Sequence, residues 1–324
     1  MRSPLQRAER TLRRARPLLG TLVEVRATAA LEPAALHTAI DAAFAAVERV
    51  QRRMSFHDER SDVSRINAAP AGEVLSIHAE TYEVLGAART LGDLCAGAFD
   101  VATAASLVRH QFLPVPASRV LARRPEPGTT YRDLELLPDA QVCWRRAGWI
   151  DLGGIAKGYA VDRAIDELRA HGVASAIVNA GGDLRCFGEA QPIHVRAPDE
   201  PTALLYLGTL SDASIATSAG YYCGLQSDNE CVDVLVDPAR GTCIAWERSI
   251  SVLAADCMTA DALTKVVRLA PQAALGMLQC LNAQAVIIDQ HGLRTCGREW
   301  LQPPSAAGNV ATVLKFASAR AAAR

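Results

Sequence analysis

The stretch that decides the fold is DLGGIAKGYAVDRAIDELRAHGVASAIVNAGGD, Asp151 to Asp183. Two glycine pairs, Gly153-Gly154 and Gly181-Gly182, flank one amphipathic helix, in which apolar residues recur at helical spacing. Gly172 stands where a helix of this length ends. Ala174–Val178 is a short apolar run, typical of a buried strand. The polar side of the helix carries Asp162, Arg163, Asp166 and Arg169.

The positions of these glycines predict an anion site. Gly153 and Gly154 directly precede the helix, whose first N–H groups lack partners within the helix and lie at the positive end of its dipole. Lys157 adds a full charge in the first turn, and Asp183 supplies a carboxylate after the second glycine pair. A phosphate or pyrophosphate held between two glycine turns is one interpretation. The other is an ordinary helix start and an ordinary turn after a strand. The spacing fits neither a P-loop nor a G-x-G-x-x-G fingerprint.

Composition and charge exclude several classes of protein. The 324 residues are 50% hydrophobic and 21% charged, which is typical of a globular chain. A net charge of −1 gives no general affinity for nucleic acid or a membrane surface. The nine cysteines include no C-x-x-C pair, and the N-terminus has no apolar signal segment. We therefore expect reduced thiols and a cytoplasmic protein with no membrane span.

The chain divides into a basic N-terminal tail (1–16), a single domain (17–316) and an Ala/Arg tail (317–324). Alternating strands and helices with several hairpins predict an α+β fold. The predicted helices are Pro33–Arg53, Ala79–Ala96, Cys257–Leu269 and Gln272–Leu281. Gln141–Trp144 and Trp149–Leu152 are predicted to pair as a hairpin that leads into the first glycine turn. The other predicted strands are Leu19–Ala27, Arg185–Phe187, Ile193–Ala197, Leu204–Leu210, Ser214–Ser218, Cys231–Val236, Ser249–Ala254 and Gln284–Ile288.

Two further segments carry candidate chemistry. MSFHDERSDVSRIN, Met54 to Asn67, is unusually polar for a connection between two packed helices. Ser61, Asp62 and Ser64 are placed to cap a short helix there. His57 is either a ligand contact or a surface histidine. In the helix CMTADALTKVVRL, Asp261, Thr264 and Lys265 share one face, because residues three and four apart are neighbours on a helix.

Taken together, these segments resemble the FAD:protein FMN transferases, the ApbE family. The strongest match is DLGGIAKGYAVDRA followed by NAGGD, supported by PLLGTLVEV, MSFHDERSDVSRIN, GAFDVATA, SIATSAGYY, VDPARG and CMTADAL. The resemblance implies a T-fold-like fold: a mixed, largely antiparallel sheet with packed helices and a flavin cleft. It implies FAD as donor substrate, Mg²⁺ at the pyrophosphate, and transfer of FMN to a threonine or serine of a target flavoprotein.

The resemblance also implies roles for individual residues. The metal ligands would be Asp261 and the backbone carbonyl of Ala156, with Thr264 as a further candidate. The catalytic candidates are Asp261, Lys265 and His57. The cofactor contacts would be Met54, Ser55, His57, Phe99, Asp100, Lys157, Asn179, Gly181, Gly182, Asp183, Thr217 and Ser218.

Three positions depart from the family pattern. Val234 stands where the family has a histidine before an Asp-Pro turn, and His57 replaces an aromatic residue. Lys265 stands where the family has a metal-binding threonine, with Thr264 one place earlier. The ammonium of Lys265 could supply charge to a diphosphate without a metal. Alternatively, Thr264 could be the ligand and leave Lys265 to hold phosphate, or Lys265 could be a solvated lysine. His57 is a candidate base by residue type.

These departures leave three functions open. The first is FMN transfer from FAD to a protein. The second is a protein of the same fold that binds FAD without transferring FMN. The third is a metal-dependent pyrophosphatase that releases FMN and AMP. A good metal site at position 265 favours the first or third function, and an ammonium there favours the second.

Overall fold

The computed structural model describes residues 8–116, 123–198, 200, 202–219, 225–227, 230–232, 235–244, 248–289, 292–300 and 313–315. Val234, the end of the SIATSAGYY segment at 220–222, and the predicted tail 317–324 lie outside these residues. Within the described chain, no helix is both long enough and apolar enough to cross a membrane.

The described strands are β1 (Arg10–Leu18), β2 (Thr21–Ala29), β3 (Val74–Ser76), β4 (Leu134–Leu137), β5 (Gln141–Trp144), β6 (Ser175–Ala180), β7 (Asp183–Phe187), β8 (Gln191–Arg196), β9 (Ala203–Leu210), β10 (Ser214–Ala219), β11 (Leu225–Ser227), β12 (Glu230–Val232), β13 (Val236–Asp237), β14 (Thr242–Cys243), β15 (Ser249–Ala254), β16 (Gln284–Asp289), β17 (Gly292–Gly297) and β18 (Val313–Lys315). The described helices are α1 (Pro33–Met54), α2 (Asp62–Ala68), α3 (Ala79–Leu94), α4 (Ala104–Arg109), α5 (Ala156–Ala170), α6 (Cys257–Leu269) and α7 (Pro271–Cys280).

An eight-stranded sheet organises the molecule, in the order β1-β2-β6-β7-β10-β15-β16-β17, and every pair in it is antiparallel. Small sheets of two or three strands surround it: β3-β5-β4, β18-β9-β8, β11-β12 and β13-β14. The predicted α+β class with a largely antiparallel sheet is therefore confirmed.

Helices cover one face of the large sheet. In β2, buried Val23, Val25 and Ala27 alternate with more exposed residues, as a strand with one covered face requires. These side chains share one core cluster with α1, α5 and α6, and α5 packs between the other two helices. On the opposite face, Ile193 of β8 and Leu210 of β9 join a second cluster with strands of the large sheet.

Two sequence predictions are wrong in the N-terminal half. Residues 10–16 of the predicted tail belong to strand β1, which pairs with β2 from Arg10 to Leu18. Its arginines are accommodated because Arg14 and Arg16 lie over the Phe44 ring of α1 and pair with Asp41. Such contacts let long basic side chains lie along a packed surface.

The hairpin prediction also fails. Strand β5 does form over Gln141–Trp144, but it pairs with Leu134–Leu137 through a turn in which Asp139 and Ala140 have positive φ. Trp149–Leu152 is not a strand. It is held instead by the side chain of Asn67, which donates to Ile150 O at 3.0 Å and accepts from Ile150 N at 2.7 Å. Helix α6 and strand β15 have the predicted bounds, and α1, α3 and α7 agree within two residues.

Candidate functional site

A cleft of about 1160 Å³ opens at the end of the large sheet where the β1–β2 and β6–β7 turns lie. Its size is slightly above the range of about 300–1,000 Å³ common for small-molecule sites. Most of the predicted cofactor contacts line it: Met54, Ser55, His57, Phe99, Asp100, Lys157, Asn179, Gly181, Gly182, Thr217 and Ser218. Ala156, Thr264 and Lys265 line it as well. The tertiary structure thus brings residues from six separate segments to one cavity.

Asp183 and Asp261 are the two predicted site residues that do not line the cleft. Their exposed fractions are 2% and 0%. They lie beneath its wall, where the side chains of Lys157 and Lys265 cover them. A ligand in the cleft therefore meets the two ammonium groups before it meets either carboxylate.

The first glycine turn differs from the anion cradle that the sequence predicts. Gly153 N donates to Asp151 Oδ2 at 3.1 Å, and Ala156 N donates to Leu152 O at 2.8 Å. Gly158 N donates to Asp261 Oδ2 at 3.2 Å. These three amides already have acceptors within the protein, so the turn offers an anion chiefly the side-chain charge of Lys157 and Lys265. Gly154 lies next to Lys265 and Phe99: a Cβ on it would stand 3.5 Å from Cε of Lys265 and 3.8 Å from the Phe99 ring.

The second glycine turn is tightly packed. Gly181 and Gly182 have φ of +67° and +105°, a region that side chains other than glycine rarely adopt. A Cβ on Gly181 would stand 2.5 Å from Oγ1 of Thr21, the first residue of β2. Gly182 N donates to Asn179 Oδ1 at 2.9 Å, which fixes the turn from within. Thr21 therefore packs against the Gly181–Gly182 turn. It lines the cleft, and the sequence did not single it out.

Four charged side chains form one cluster in the cleft wall. Lys157 Nζ pairs with Asp183 and lies 3.9 Å from Asp261 Oδ2. Lys265 Nζ pairs with Asp261 Oδ1 and donates to the main-chain oxygen of Asp261 at 3.0 Å. The hydroxyl of Thr264 also donates to that oxygen, at 2.7 Å, and lies 2.8 Å from Ser218 Oγ. Two positive and two negative groups thus satisfy one another, with both carboxylates buried.

The cluster shifts the proton affinities of its members. Burial lowers the pKa of Lys157, but the carboxylates of Asp183 and Asp261 outweigh it, so the net pKa lies above the ordinary value. Burial raises the pKa of Asp261, and the ammoniums of Lys157 and Lys265 more than reverse this, so the Asp261 pKa is lowered. Burial and the neighbouring Asp261 raise the pKa of Asp183. Asp261 is thus the carboxylate that stays ionised most firmly.

A carboxylate from α5 positions helix α6. Asp162, predicted on the polar side of its helix, is only 3% exposed. Its two oxygens accept from Cys257 N and Met258 N, both at 2.9 Å, and Arg185 donates to it at 2.7 Å. Asp256 caps the same helix by accepting from Thr259 N at 2.7 Å. Since the first amides of a helix have no partner inside it, these carboxylates fix where α6 begins, and with it Asp261.

The polar segment after α1 builds another wall of the cleft. Ser61 caps α2 by accepting from Ser64 N at 3.0 Å, as predicted. Asp62 does not line the cleft but binds His78 and Thr81, at 2.9 and 2.7 Å. His57 is exposed and lines both the main cleft and a smaller neighbouring pocket.

Two partly buried carboxyl groups lie on this side of the cleft as well. Asp100 Oδ1 accepts from Ala102 N at 2.7 Å and from Tyr131 N at 3.0 Å, and burial raises the pKa of Asp100 to about 6. Asp151 lines the cleft, and burial raises its pKa, with His57 acting in the opposite direction. The sequence did not single out Asp151 or Arg268 as lining residues. The position of Asp151 directly before the glycine pair was the available signal.

The Mg²⁺ site implied by the resemblance does not fit the residues present. Both carboxylate oxygens of Asp261 have partners, Lys265 Nζ and Gly158 N. Thr264 Oγ1 is engaged with Asp261 O and Ser218. Among the described residues, no three His, Cys, Asp or Glu side chains are grouped so as to hold a metal ion. A divalent cation prefers several oxygen ligands, and here it would have to displace an ammonium from its carboxylate.

Fold and cleft together define an α+β protein with one large ligand cleft at a sheet end, walled by paired lysines and aspartates. Comparison with known proteins narrows this class. Residues 19–288 match the model of the ApbE family. A Vibrio cholerae protein named FAD:protein FMN transferase is 30% identical over 234 residues, covering 67% of this chain and 69% of that protein. A Treponema pallidum protein of the same name is 26% identical over 282 residues, covering 77% and 76%.

Solved structures agree with the architecture. The ApbE protein of Thermotoga maritima superposes with a TM-score of 0.75 at 26% identity, covering 91% of this chain and all (100%) of that one. The apo flavinyl transferase ApbE of Pseudomonas stutzeri gives 0.72 at 24% identity, covering 90% and 95%. The chain belongs to the ApbE family, and both the fold class and the resemblance found in the sequence are confirmed.

Proposed function

We propose that this chain is an FAD:protein FMN transferase. It binds FAD in the cleft, cleaves the pyrophosphate and attaches FMN to a threonine or serine of a target flavoprotein. The observation that carries the proposal is the convergence of the implied flavin contacts on one cleft, beside two lysines suited to a diphosphate. The ammonium at position 265 was expected to favour a protein that binds FAD without transfer, but the relatives named above support transfer, and the binding protein is therefore one outcome of the test.

FAD fits the residues present. The cleft volume of about 1160 Å³ leaves room for a dinucleotide, and the buried ring of Phe99 offers an apolar surface. The wall is open at Gly182, since a Cβ there would have no neighbour nearer than 3.7 Å. Lys157 and Lys265 supply positive charge in the wall of the cleft.

The reaction balances without an oxidant or reductant. The acceptor hydroxyl oxygen forms a bond to the phosphorus of the FMN half. The bond from that phosphorus to the bridging oxygen breaks, and AMP leaves with the electron pair. The hydroxyl proton passes to a base, for which we propose His57, since it lines the cleft and belongs to the residue type that most often does this work. Lys157 and Lys265 stabilise negative charge that develops on the phosphoryl oxygens. Mg²⁺ is not part of this proposal.

The test is an incubation of the purified protein with FAD and an acceptor domain from a flavoprotein that carries FMN on threonine. AMP is measured by chromatography and acceptor mass by mass spectrometry. AMP release together with an FMN-sized mass gain supports the proposal. AMP and free FMN without a mass gain would replace it with the pyrophosphatase, and bound FAD that stays intact would replace it with the binding protein.

Two histidine variants test the proposed base. His57→Ala should slow transfer while FAD binding persists. His171→Ala, at the C-terminal end of α5 where Nδ1 lies 2.8 Å from Glu167 O, is the matched control and should transfer normally. Equal rates for His57→Ala and the unaltered protein would remove His57 from the mechanism.

A further inference from the structure

We infer that the ε-ammonium of Lys265 takes the place of a divalent cation at Asp261, so that the FAD pyrophosphate is bound and its charge balanced without a metal. The inference rests on the proposed function for the identity of the ligand. It goes beyond that function because it concerns what neutralises the phosphates.

The first support is direct contact. Lys265 Nζ pairs with Asp261 Oδ1 and donates to Asp261 O at 3.0 Å, so a positive charge already sits on the carboxylate that a metal would need. An ammonium has three N–H donors, and these two contacts leave the third for a ligand oxygen. Lys265 is one turn after Asp261, and Gly158 N holds the other carboxylate oxygen at 3.2 Å. The geometry therefore follows from helix spacing and a fixed backbone.

The second support is that Asp261 lies deeper than the two lysines beside it. The side chain of Asp261 is fully buried, whereas Lys265 and Lys157 line the cleft. An oxygen of a bound diphosphate therefore reaches an ammonium first. A metal ion entering from the cleft would have to push Lys265 aside and then sit close to Lys157, 3.9 Å from Asp261 Oδ2. Both steps cost free energy, because the first breaks the pair between Lys265 and buried Asp261 and the second brings like charges together.

The third support is the use of lysine itself. Only three of the 34 basic residues are lysine, at positions 157, 265 and 315, and the rest are arginine. Because arginine predominates so strongly among the basic residues, a basic helix position that only faces solvent would usually be arginine in this chain. Two of the three lysines nevertheless stand in one charge cluster. An ammonium is a compact point charge, closer to a metal ion than the broad, planar guanidinium is.

The fourth support is the fit against the first glycine turn. A Cβ on Gly154 would stand 3.5 Å from Cε and 4.0 Å from Cδ of Lys265, so the lysine stem lies directly over the turn. The stem is thereby confined between the turn and α6, and its exposed fraction is 16%. A side chain held in this way keeps its charged end at one place, as a bound cation would be kept.

The experiment measures metal binding and FAD binding separately from transfer. Mn²⁺, a probe for Mg²⁺, is titrated into the ligand-free protein and followed by electron paramagnetic resonance. FAD affinity is measured by flavin fluorescence in EDTA and in excess Mg²⁺. We expect no tight Mn²⁺ site in the unaltered protein and the same FAD affinity in both solutions. Tight Mn²⁺ binding, or FAD binding that requires Mg²⁺, would overturn the inference.

Variants at the two lysines sharpen the result. Lys265→Thr removes the ammonium and adds a hydroxyl next to Asp261, and it should gain Mn²⁺ binding and make FAD binding depend on Mg²⁺. Lys265→Met keeps the stem without the charge and should weaken FAD binding by about tenfold, as expected for loss of one hydrogen bond to a charged group. Lys157→Met is the matched control: it should weaken FAD binding but gain no metal site, because Lys265 still covers Asp261.

The outcomes separate the inference from the proposed function. Metal-independent FAD binding without any transfer would leave Lys265 in its inferred role and reject the transferase. Transfer that stops in EDTA would keep the transferase and reject the role of Lys265. If Lys265→Thr binds FAD as tightly in EDTA as the unaltered protein does, the ammonium is not what replaces the metal, and the inference falls.

Discussion

The backbone N–H of Gly158 donates to the carboxylate of Asp261 at 3.2 Å, a bond that joins the first turn of α5 to the second turn of α6. The two helices approach closely at this point because residue 158 has no side chain: a Cβ there would overlap the carbonyl oxygen of Cys257. The same contact holds the carboxylate that Lys265 pairs with. Helix packing and cleft charge therefore depend on one glycine.

Gly158→Ala should lower the free energy of unfolding by about 2–3 kcal/mol, since overpacking a tight helix contact forces the backbone apart. FAD affinity should fall with it, because Asp261 and Lys265 move with α6. Urea unfolding and flavin fluorescence are the measurements. Gly86→Ala is the control, because a Cβ at this position of α3 would meet nothing within 4 Å, and it should stabilise the protein by about 0.5–1 kcal/mol. Equal stability of the two variants would contradict the close-contact argument.

Asp162→Ala should be strongly destabilising, by about 3–5 kcal/mol, because it leaves Arg185 without its carboxylate and two amides of α6 without acceptors. Urea unfolding monitored by circular dichroism measures the loss. Asp166→Ala lies on the same helix, where Asp166 pairs with Arg163 at 2.9 Å and both side chains are partly exposed. Since such surface pairs contribute little, this variant should change stability by less than about 1 kcal/mol. A small effect at Asp162 would show that α6 is positioned by other contacts.

Gly181→Ala and Gly172→Ala separate backbone strain from steric overlap. Both glycines have positive φ, +67° and +74°, so each substitution costs about 1–2 kcal/mol of conformational strain. A Cβ on Gly172 meets nothing within 4 Å, whereas one on Gly181 stands 2.5 Å from Thr21 Oγ1. Gly181→Ala should therefore be the less stable variant and should bind FAD more weakly, and Thr21→Ala should restore part of the loss. Indistinguishable unfolding curves for Gly181→Ala and Gly172→Ala would show that Thr21 can shift to relieve the overlap without loss of stability.

Asp100→Asn should alter the pH dependence of stability. Burial raises the pKa of Asp100 to about 6, so the folded protein holds this proton at a pH where the unfolded chain has released it. The contribution of Asp100 to stability is therefore fully present below about pH 4 and is lost as pH rises to about 6. Asparagine keeps the oxygen that accepts from Ala102 and Tyr131. The variant should gain about 1–3 kcal/mol over the unaltered protein above pH 6 and nothing near pH 4.

Urea unfolding of the ligand-free protein across this pH range measures the effect of Asp100→Asn. Asp139→Asn, at an exposed turn, controls for the change in net charge and should show no such pH dependence. A constant difference between Asp100→Asn and the unaltered protein at every pH would mean that Asp100 is ionised throughout in the folded state.

Local patterns in the sequence were sufficient for several of the regular elements. The predicted helix CMTADALTKVVRL and the predicted strand SISVLA have the bounds found for α6 and β15. The glycine pairs marked turns that do line the cleft. These predictions succeed because helix and strand periodicity, glycine conformations and capping are properties of neighbouring residues.

Predictions failed where a distant partner decides the environment. Asp162 was assigned to a polar face from its charge, but it is buried because Arg185 and the amides of residues 257 and 258 satisfy it. The arginines of 10–16 were assigned to a tail, but Phe44 and Asp41 of α1 accommodate them within a strand. Trp149–Leu152 was assigned to a hairpin, but Asn67 occupies the hydrogen bonds of Ile150.

The sequence by itself determined the class of fold, the family and a set of residues most of which line the cleft, because short motifs such as DLGGIAKGYAVDRA and NAGGD carry them. Only the tertiary structure decided what those residues do to one another. From the sequence, Lys265 could be either a solvated lysine or a cation of the cleft. The folded chain shows that its ammonium pairs with Asp261, which is buried beneath the cleft wall. The physical reason is that burial and charge pairing depend on distances between residues far apart in the chain, such as Lys157 and Asp261, and these distances exist only after folding.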